Sequence, residues 1–190
     1  MLAKQIGNVT IHFEPLITVL IVTVIVYGII ALLLTYRGKK ITKSFESGDY
    51  DNVLVDGDKL LKTYQRYAKR YKHKNTLAWI EYLNFAIAVS HFSQKNYELF
   101  FNYINALKKN DNVKEFWLSL YYLQQNDLEN AKLCYSKIDD SDDTRFNRTY
   151  LEGMMLYIQR DYDSAKSKVS EIYTDIRYPI LRQMADDILK

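Results

Sequence analysis

The chain has 190 residues, a net charge of +3 and a single cysteine, so no internal disulfide can form. Only six glycines and two prolines occur, which favours long helices joined by short connections. Seventeen tyrosines are unusual for a small α/β enzyme. They suit packed helices, where a tyrosine ring is buried while its hydroxyl reaches water. Composition therefore favours an all-α protein over an α/β enzyme.

The first element in the chain is a long apolar segment. Residues 15–36 contain no charged side chain, and about 20 such residues cross the roughly 30 Å hydrocarbon core of a bilayer as a helix. A buried core helix would carry a polar stripe, and a cleaved signal peptide would show a basic start and a small-residue cleavage site. Neither pattern is present. The sequence therefore predicts a transmembrane helix over residues 15–36, preceded by a short extracytoplasmic tail over residues 1–14.

Basic residues follow this segment closely. Arg37, Lys39, Lys40 and Lys43 lie after it, whereas only Lys4 precedes it. The positive-inside rule therefore predicts a single-pass protein of the cell membrane with its N-terminus outside and its C-terminal domain in the cytoplasm.

The next region, residues 37–74, is strongly basic. It has 11 basic and 5 acidic residues, net +6, whereas residues 75–190 have 14 and 17, net −3. We expect a juxtamembrane helical hairpin whose second helix returns toward the bilayer, where each cation near anionic lipid contributes about 1 kcal/mol. A solvated helix face explains the same charges equally well. The residues assigned to lipid headgroups are Arg37, Lys39, Lys40, Lys69, Arg70, Lys72 and Lys74.

Short polar turns recur along the chain, each followed by an apolar stripe at helical spacing. Their last residues lie 47, 31 and 34 positions apart. A period near 34 built from paired helices is typical of a helical solenoid. The turns are Gly48-Asp49-Tyr50, Lys95-Asn96-Tyr97, Asn126-Asp127-Leu128 and Arg160-Asp161-Tyr162.

The chain resembles the tetratricopeptide repeat family. That family has a small residue and an aromatic residue in the first helix, a polar turn, and an alanine in the second helix. Ser119, Tyr122 and Ala131 follow this pattern in one unit, and Gly153 and Ala165 in the next. Residues 75–177 are thus expected to form tetratricopeptide-like repeats, and residues 37–74 a degenerate first repeat. Residues 178–190 are predicted to form an amphipathic capping helix with a polar outer face.

The resemblance implies that the first helix of each pair lines a concave face. That face would be apolar and aromatic and would bind an apolar or helical segment of a partner protein. Packing within the solenoid or contact with the capping helix is the alternative role for the same side chains. The residues assigned to partner binding are Tyr82, Phe85, Val89, Phe92, Phe116, Leu120, Tyr150, Met154 and Tyr157.

Catalytic patterns are lacking. His12, His73 and His91 have no partner at metal-ligand or general-base spacing, and Cys134 lies within an apolar helical stripe. The sequence shows no Gly-rich phosphate loop and no nucleic-acid recognition motif. We therefore expect no enzyme activity, no cofactor, no small-molecule substrate and no nucleic acid.

Two functional expectations remain. In the first, the protein is a membrane-anchored adaptor that assembles or localises a membrane complex through its repeats. In the second, it is an accessory subunit of an integral-membrane machine for transport, secretion or cell-envelope polymer synthesis. The transmembrane helix would then be an interface, with Gly28 and Ala31 as a small-residue patch.

Overall fold

The computed structural model describes residues 3–6, 9–12, 14–70, 73–109 and 111–190. The chain divides into two compact units, Met1–Lys40 and Ile41–Lys190. His12 lies among residues whose backbone alone is described, and Lys72 lies outside the described residues.

The first unit contains two short strands and most of one long helix. Strands β1 (Ala3–Ile6) and β2 (Val9–His12) pair antiparallel, with Ala3 opposite His12. This small hairpin was not predicted from the sequence. Helix α1 runs from Glu14 to Glu46 and is the one helix in the described part of the chain long and apolar enough to cross a membrane.

Within the apolar part of α1, two threonine hydroxyls are satisfied by the helix backbone. The Thr23 and Thr35 hydroxyls donate to the carbonyl oxygens of Val19 and Ala31 at 2.7 and 2.9 Å. Such bonds satisfy these two hydroxyl donors on an otherwise apolar surface. The aliphatic side chains of this stretch point outward, and Leu32 is 72% exposed.

The second unit is a bundle of helical pairs. The last six residues of α1 belong to it, and α2 packs on α3, α3 on α4, α5 on α6, α7 on α8 and α8 on α9. Two short 3₁₀ turns, Asp142–Thr144 and Tyr173–Asp175, complete it. The prediction of an all-α protein is confirmed. The helices are α2 (Tyr50–Arg70), α3 (Lys74–Ser93), α4 (Tyr97–Ile104), α5 (Asp111–Gln124), α6 (Leu128–Tyr135), α7 (Arg145–Ile158), α8 (Tyr162–Ile172) and α9 (Pro179–Leu189).

The four polar turns share one backbone geometry. In each, the first residue has a positive φ, and the N–H of the second bonds to the carbonyl five residues earlier at 2.8–3.0 Å. This is the Schellman ending of a helix. The second residue, an Asp or Asn, then accepts from a backbone N–H of the next helix and caps it. The positive-φ residues are Gly48, Lys95, Asn126 and Arg160, and the capping residues are Asp49, Asn96, Asp127 and Asp161.

Small residues let the paired helices approach each other. The Ser119 hydroxyl donates to the Ala131 carbonyl at 2.9 Å, which ties α5 to α6 through a buried hydrogen bond. At Gly153 in α7, a Cβ atom would lie only 2.7 Å from Cγ2 of Val169 in α8. The repeat pattern places small residues at these two positions, and in the structure they allow the paired helices to pack closely.

The C-terminal segment of the second unit folds back onto its beginning. The Tyr178 ring lies 5.5 Å from that of Phe45, and the Ile180 N–H donates to the Tyr50 hydroxyl at 3.2 Å. Further along, the Tyr150 hydroxyl donates to the Leu181 carbonyl at 2.8 Å. Contacts across 130 residues of sequence thus close this unit on itself, a feature the repeat pattern did not predict.

Candidate docking groove and basic cleft

The residues predicted to bind a partner do not all lie on an accessible surface. Six of the nine are buried, and Val89, Leu120 and Tyr150 are completely so. The buried six are Val89, Phe92, Phe116, Leu120, Tyr150 and Met154. The remaining three, Tyr82, Phe85 and Tyr157, are half-buried. A partner can therefore reach only part of the predicted surface in this arrangement.

Aromatic contacts show what covers the buried positions. Phe92 packs against Phe100 of its own helical pair at 5.4 Å and against Trp117 of α5 at 5.4 Å. Tyr150 packs against Phe116 at 6.0 Å and is hydrogen-bonded to the C-terminal segment. The half-buried Tyr157 also packs against a neighbouring helix, because its ring centroid lies 5.4 Å from that of Tyr162 in α8.

Tyr178 covers the middle of the inner face. Its ring lies 5.8 Å from Phe85, 6.3 Å from Trp117 and 5.5 Å from Phe45, so it joins α1, α3 and α5. Burial raises the pKa of the Tyr178 phenol, which stays neutral at physiological pH. Sequence reasoning did not single out Tyr178. Its only local signal is its place directly before Pro179, at the N-cap of α9.

Part of the inner face remains uncovered and forms what we call the open groove. It is a cavity of about 420 Å³ between α3 and α5, and a second cavity of about 340 Å³ adjoins it through Ala78 and Tyr82. The larger cavity is lined by Lys74, Ala78, Glu81, Tyr82, Phe85, Leu107, Lys109, Val113 and Tyr178. The smaller is lined by Thr42, Asn75, Ala78, Trp79 and Tyr82.

The rim of the open groove carries a net positive charge. Lys74 and Lys109 are both exposed, and neither makes an ion pair within the described part of the chain. The Glu81 carboxylate is already engaged, because it accepts the Lys108 backbone N–H at 3.2 and 3.1 Å. The groove thus combines an aromatic and aliphatic floor with two available cations.

A second concave surface, the basic cleft, lies between α2 and α3. It has a volume of about 480 Å³ and is lined by Lys62, Gln65, Arg66, Ala68, Lys69 and Ile80. Lys62 pairs with Asp58 at 2.6 Å, and this hydrogen bond lowers the pKa of the Asp58 carboxyl. Asp58 also accepts the Tyr103 hydroxyl at 3.0 Å, so its charge is well satisfied.

The predicted lipid-headgroup residues are distributed over both units. Arg37, Lys39 and Lys40 lie in the first, whereas Lys69, Arg70 and Lys74 lie in the second. Of these, Lys69 lines the basic cleft and Lys74 lines the open groove. Lys62 and Arg66 also line the cleft and were not assigned from the sequence. Lys62 and Arg66 precede Lys69 by seven and three positions along α2, and this spacing was the available signal.

No metal-binding group of three His, Cys, Asp or Glu residues occurs among the residues that the structure describes. Cys134 is buried, and burial raises the pKa of its thiol to about 11. His91 stacks on Tyr103 with ring centroids 5.7 Å apart, and burial lowers the pKa of its imidazole. These two side chains therefore occupy packing positions.

Comparison with models of known protein families, with curated proteins and with solved structures finds no match to this chain.

Proposed function

We propose that the protein is a membrane-anchored docking protein. Helix α1 would hold a tetratricopeptide-like helical array at the cytoplasmic face of the cell membrane, and the open groove would bind an apolar or helical segment of a partner protein. The partner would be a component of a membrane complex, which this protein would help to assemble or localise.

The anchor is supported by the character of α1. Between Pro15 and Tyr36 it carries no charge, and its aliphatic side chains are exposed rather than packed in a core. Such a surface is stable in hydrocarbon and unfavourable in water. The basic residues after Tyr36 support a cytoplasmic location for the second unit.

The repeat assignment is supported by the recurring turn and by the small residues between paired helices. Three helical pairs, α3–α4, α5–α6 and α7–α8, are joined by turns of the same geometry, with a left-handed residue followed by a capping Asp or Asn. Arrays of this kind present concave surfaces to other proteins.

The observation that carries the docking proposal is the uncovered aromatic face of the open groove. Tyr82, Phe85 and Tyr178 line it, although the Tyr178 segment covers the neighbouring part of the same inner face. Aromatic side chains at the bottom of a concave surface, with cations at its rim, are typical of binding sites for amphipathic segments.

Site-specific photo-crosslinking in living cells tests this proposal. A photoreactive amino acid would replace Ala78, which is exposed and lines both cavities, in the full-length protein. The matched control position is Leu133, which is 57% exposed on α6 and lines neither cavity. We expect an adduct from position 78 that is absent from position 133 and is lost when Val113→Asp places a charge in the groove. Identical adducts from both positions would contradict the proposal.

The second candidate is an accessory subunit that uses its transmembrane helix as an interface. It is favoured by Gly28, where a Cβ atom would meet nothing within 4 Å, so another helix could approach this point closely. Exchange of residues 15–36 for an unrelated span separates the candidates. An adaptor keeps its position-78 adduct after the exchange, whereas a subunit held by its span loses its complex.

A further inference from the structure

Helix α2 has a strongly asymmetric charge distribution. Its acidic side chains, Asp51, Asp56 and Asp58, all lie before residue 59, and every charged side chain from residue 59 onward is basic. Those basic residues are Lys59, Lys62, Arg66, Lys69 and Arg70. This order complements the helix macrodipole, but it also concentrates cations where α2 ends and α3 begins.

The basic cleft gathers three of these cations around one concavity. Lys62 is neutralised by Asp58, whereas Arg66 and Lys69 make no ion pair with any carboxylate in the described part of the chain. Both are exposed, lie three residues apart and line the same cavity. Two unpaired cations at helical i,i+3 spacing can contact one anionic group together.

Helix α3 contributes an apolar side chain, Ile80, to the wall of this cleft. Leu77, one turn earlier on α3, is 37% exposed. An exposed leucine on the same helix as a wall residue of a Lys- and Arg-lined cleft fits surfaces that insert into the boundary between headgroups and acyl chains. These aliphatic groups would not contribute to the binding of a free phosphate or a nucleic acid.

The chain also limits how far this region can lie from the apolar segment. The start of α3 is near Thr42, because Thr42 and Asn75 line the same cavity. Thr42 lies only six positions after Tyr36, where the uncharged segment ends. Six residues span at most about 20 Å even when fully extended. If residues 15–36 cross a membrane, the start of α3 is therefore held close to its surface.

We infer that the basic cleft binds the phosphate of an anionic lipid headgroup, with Arg66 and Lys69 contacting the phosphate and Leu77 lying at the acyl boundary. This inference rests on the proposed membrane attachment. It differs from docking in the open groove, which involves another face of α3. A cation close to anionic lipid changes affinity about five-fold, so removal of both cations is expected to weaken binding about 25-fold.

Native mass spectrometry of the full-length protein in a non-ionic detergent tests this inference. The protein would be titrated with phosphatidylglycerol and, in parallel, with phosphatidylcholine, with the double variant Arg66→Gln/Lys69→Gln beside the unaltered chain. The matched control is Lys132→Gln/Lys166→Gln, which removes the same charge from α6 and α8, outside the cleft. Leu77→Gln tests the apolar contribution separately. Circular dichroism of each variant verifies that its helices are intact.

We expect preferential retention of phosphatidylglycerol, an approximately 25-fold loss in the cleft variant, a smaller loss in Leu77→Gln and no loss in the control. Equal retention of both lipids, or an equal loss in the control variant, would overturn the inference. Competition by inorganic phosphate or by a short oligonucleotide at the same concentration as phosphatidylglycerol would also overturn it, since the site would then recognise phosphate without lipid. If the unaltered chain shows no preference for phosphatidylglycerol but still gives the position-78 adduct, the cleft alone is refuted. If it retains phosphatidylglycerol preferentially but gives no position-78 adduct, the docking proposal alone is refuted.

Discussion

The substitution Gly153→Ala tests how closely the paired helices α7 and α8 must pack. A Cβ atom at this position would lie 2.7 Å from Cγ2 of Val169 and 3.5 Å from the Ala165 carbonyl oxygen. Carbon atoms rest at about 3.5–4.0 Å, so the helices or the valine must move by roughly 1 Å. Val169 is completely buried, and its β-branched side chain has few alternative rotamers. The added methyl group therefore overpacks the helix interface.

Two opposing effects set the magnitude. Overpacking of a close-packed core costs about 1–3 kcal/mol. Alanine in place of a mid-helix glycine stabilises the helix by about 1 kcal/mol, because alanine has the higher helix propensity. The overpacking term is the larger, so we expect Gly153→Ala to lower the free energy of unfolding by about 1 kcal/mol.

Gly57→Ala is the matched control, because Gly57 is also a buried glycine within a helix. Its Cβ atom would lie 3.2 Å from Cγ1 and 3.4 Å from Cδ1 of Ile87. A shift of a few tenths of an ångström relieves this contact, so the propensity gain of up to about 1 kcal/mol decides the outcome. We expect the stability of Gly57→Ala to be unchanged or raised.

Thermal unfolding of the full-length protein in mild detergent, followed by tryptophan fluorescence, measures both variants. Trp117 is 1% exposed and reports on the same core. Val169→Ala removes the clashing methyl groups, so the double variant with Gly153→Ala should show a favourable coupling of about 1 kcal/mol in a double-mutant cycle. Strictly additive single effects, or a Gly153→Ala protein as stable as the unaltered chain, would refute the close-packing argument.

Two further predictions follow from buried titratable groups. Because the pKa of Cys134 is about 11, only about one thiol in a thousand is ionised at pH 8, and the folded protein should not react with a thiol-specific dye until denaturant is added. Rapid labelling of the folded protein would contradict this. Burial lowers the pKa of His91 below its usual value of 6.5, against the opposing charge of Asp58. Stability should therefore be highest above pH 6.5 and fall as the pH drops through the folded pKa, and His91→Phe should flatten this part of the profile. Melting temperatures at pH 7.5 and 5.5 that drop equally in both proteins would show that another group is responsible.

The helical pairs were predictable because their signals are local. A left-handed residue followed by Asp or Asn uses side-chain and backbone groups within six residues of one another, as at Asn126-Asp127 and Arg160-Asp161. A short repeated pattern of this kind appears directly in the sequence. The turn at Gly48 has the same geometry, although its surrounding repeat matches poorly.

The accessible part of the inner face was not predictable in the same way. The positions were assigned from a repeat register that treats each pair alike, but Phe92 faces α4 and α5, and Tyr150 faces the C-terminal segment. Whether a side chain is covered depends on the fold-back of Tyr178 and Ile180, which are more than 120 residues from Phe45 and Tyr50. Contacts at such separation leave no periodic trace in the sequence.

The two proposed binding surfaces lie on different sides of α3. At 100° per residue, Ala78, Tyr82 and Phe85 of the open groove cluster within about 60° around the helix. Ile80 of the basic cleft lies roughly 170° away from their centre, and Leu77 lies roughly 110° away. A bilayer contacting the cleft would therefore leave the groove free, and a protein partner in the groove would not displace lipid from the cleft. Charge removal at Arg66 and Lys69 should then leave the position-78 adduct intact, since those side chains line no part of the groove.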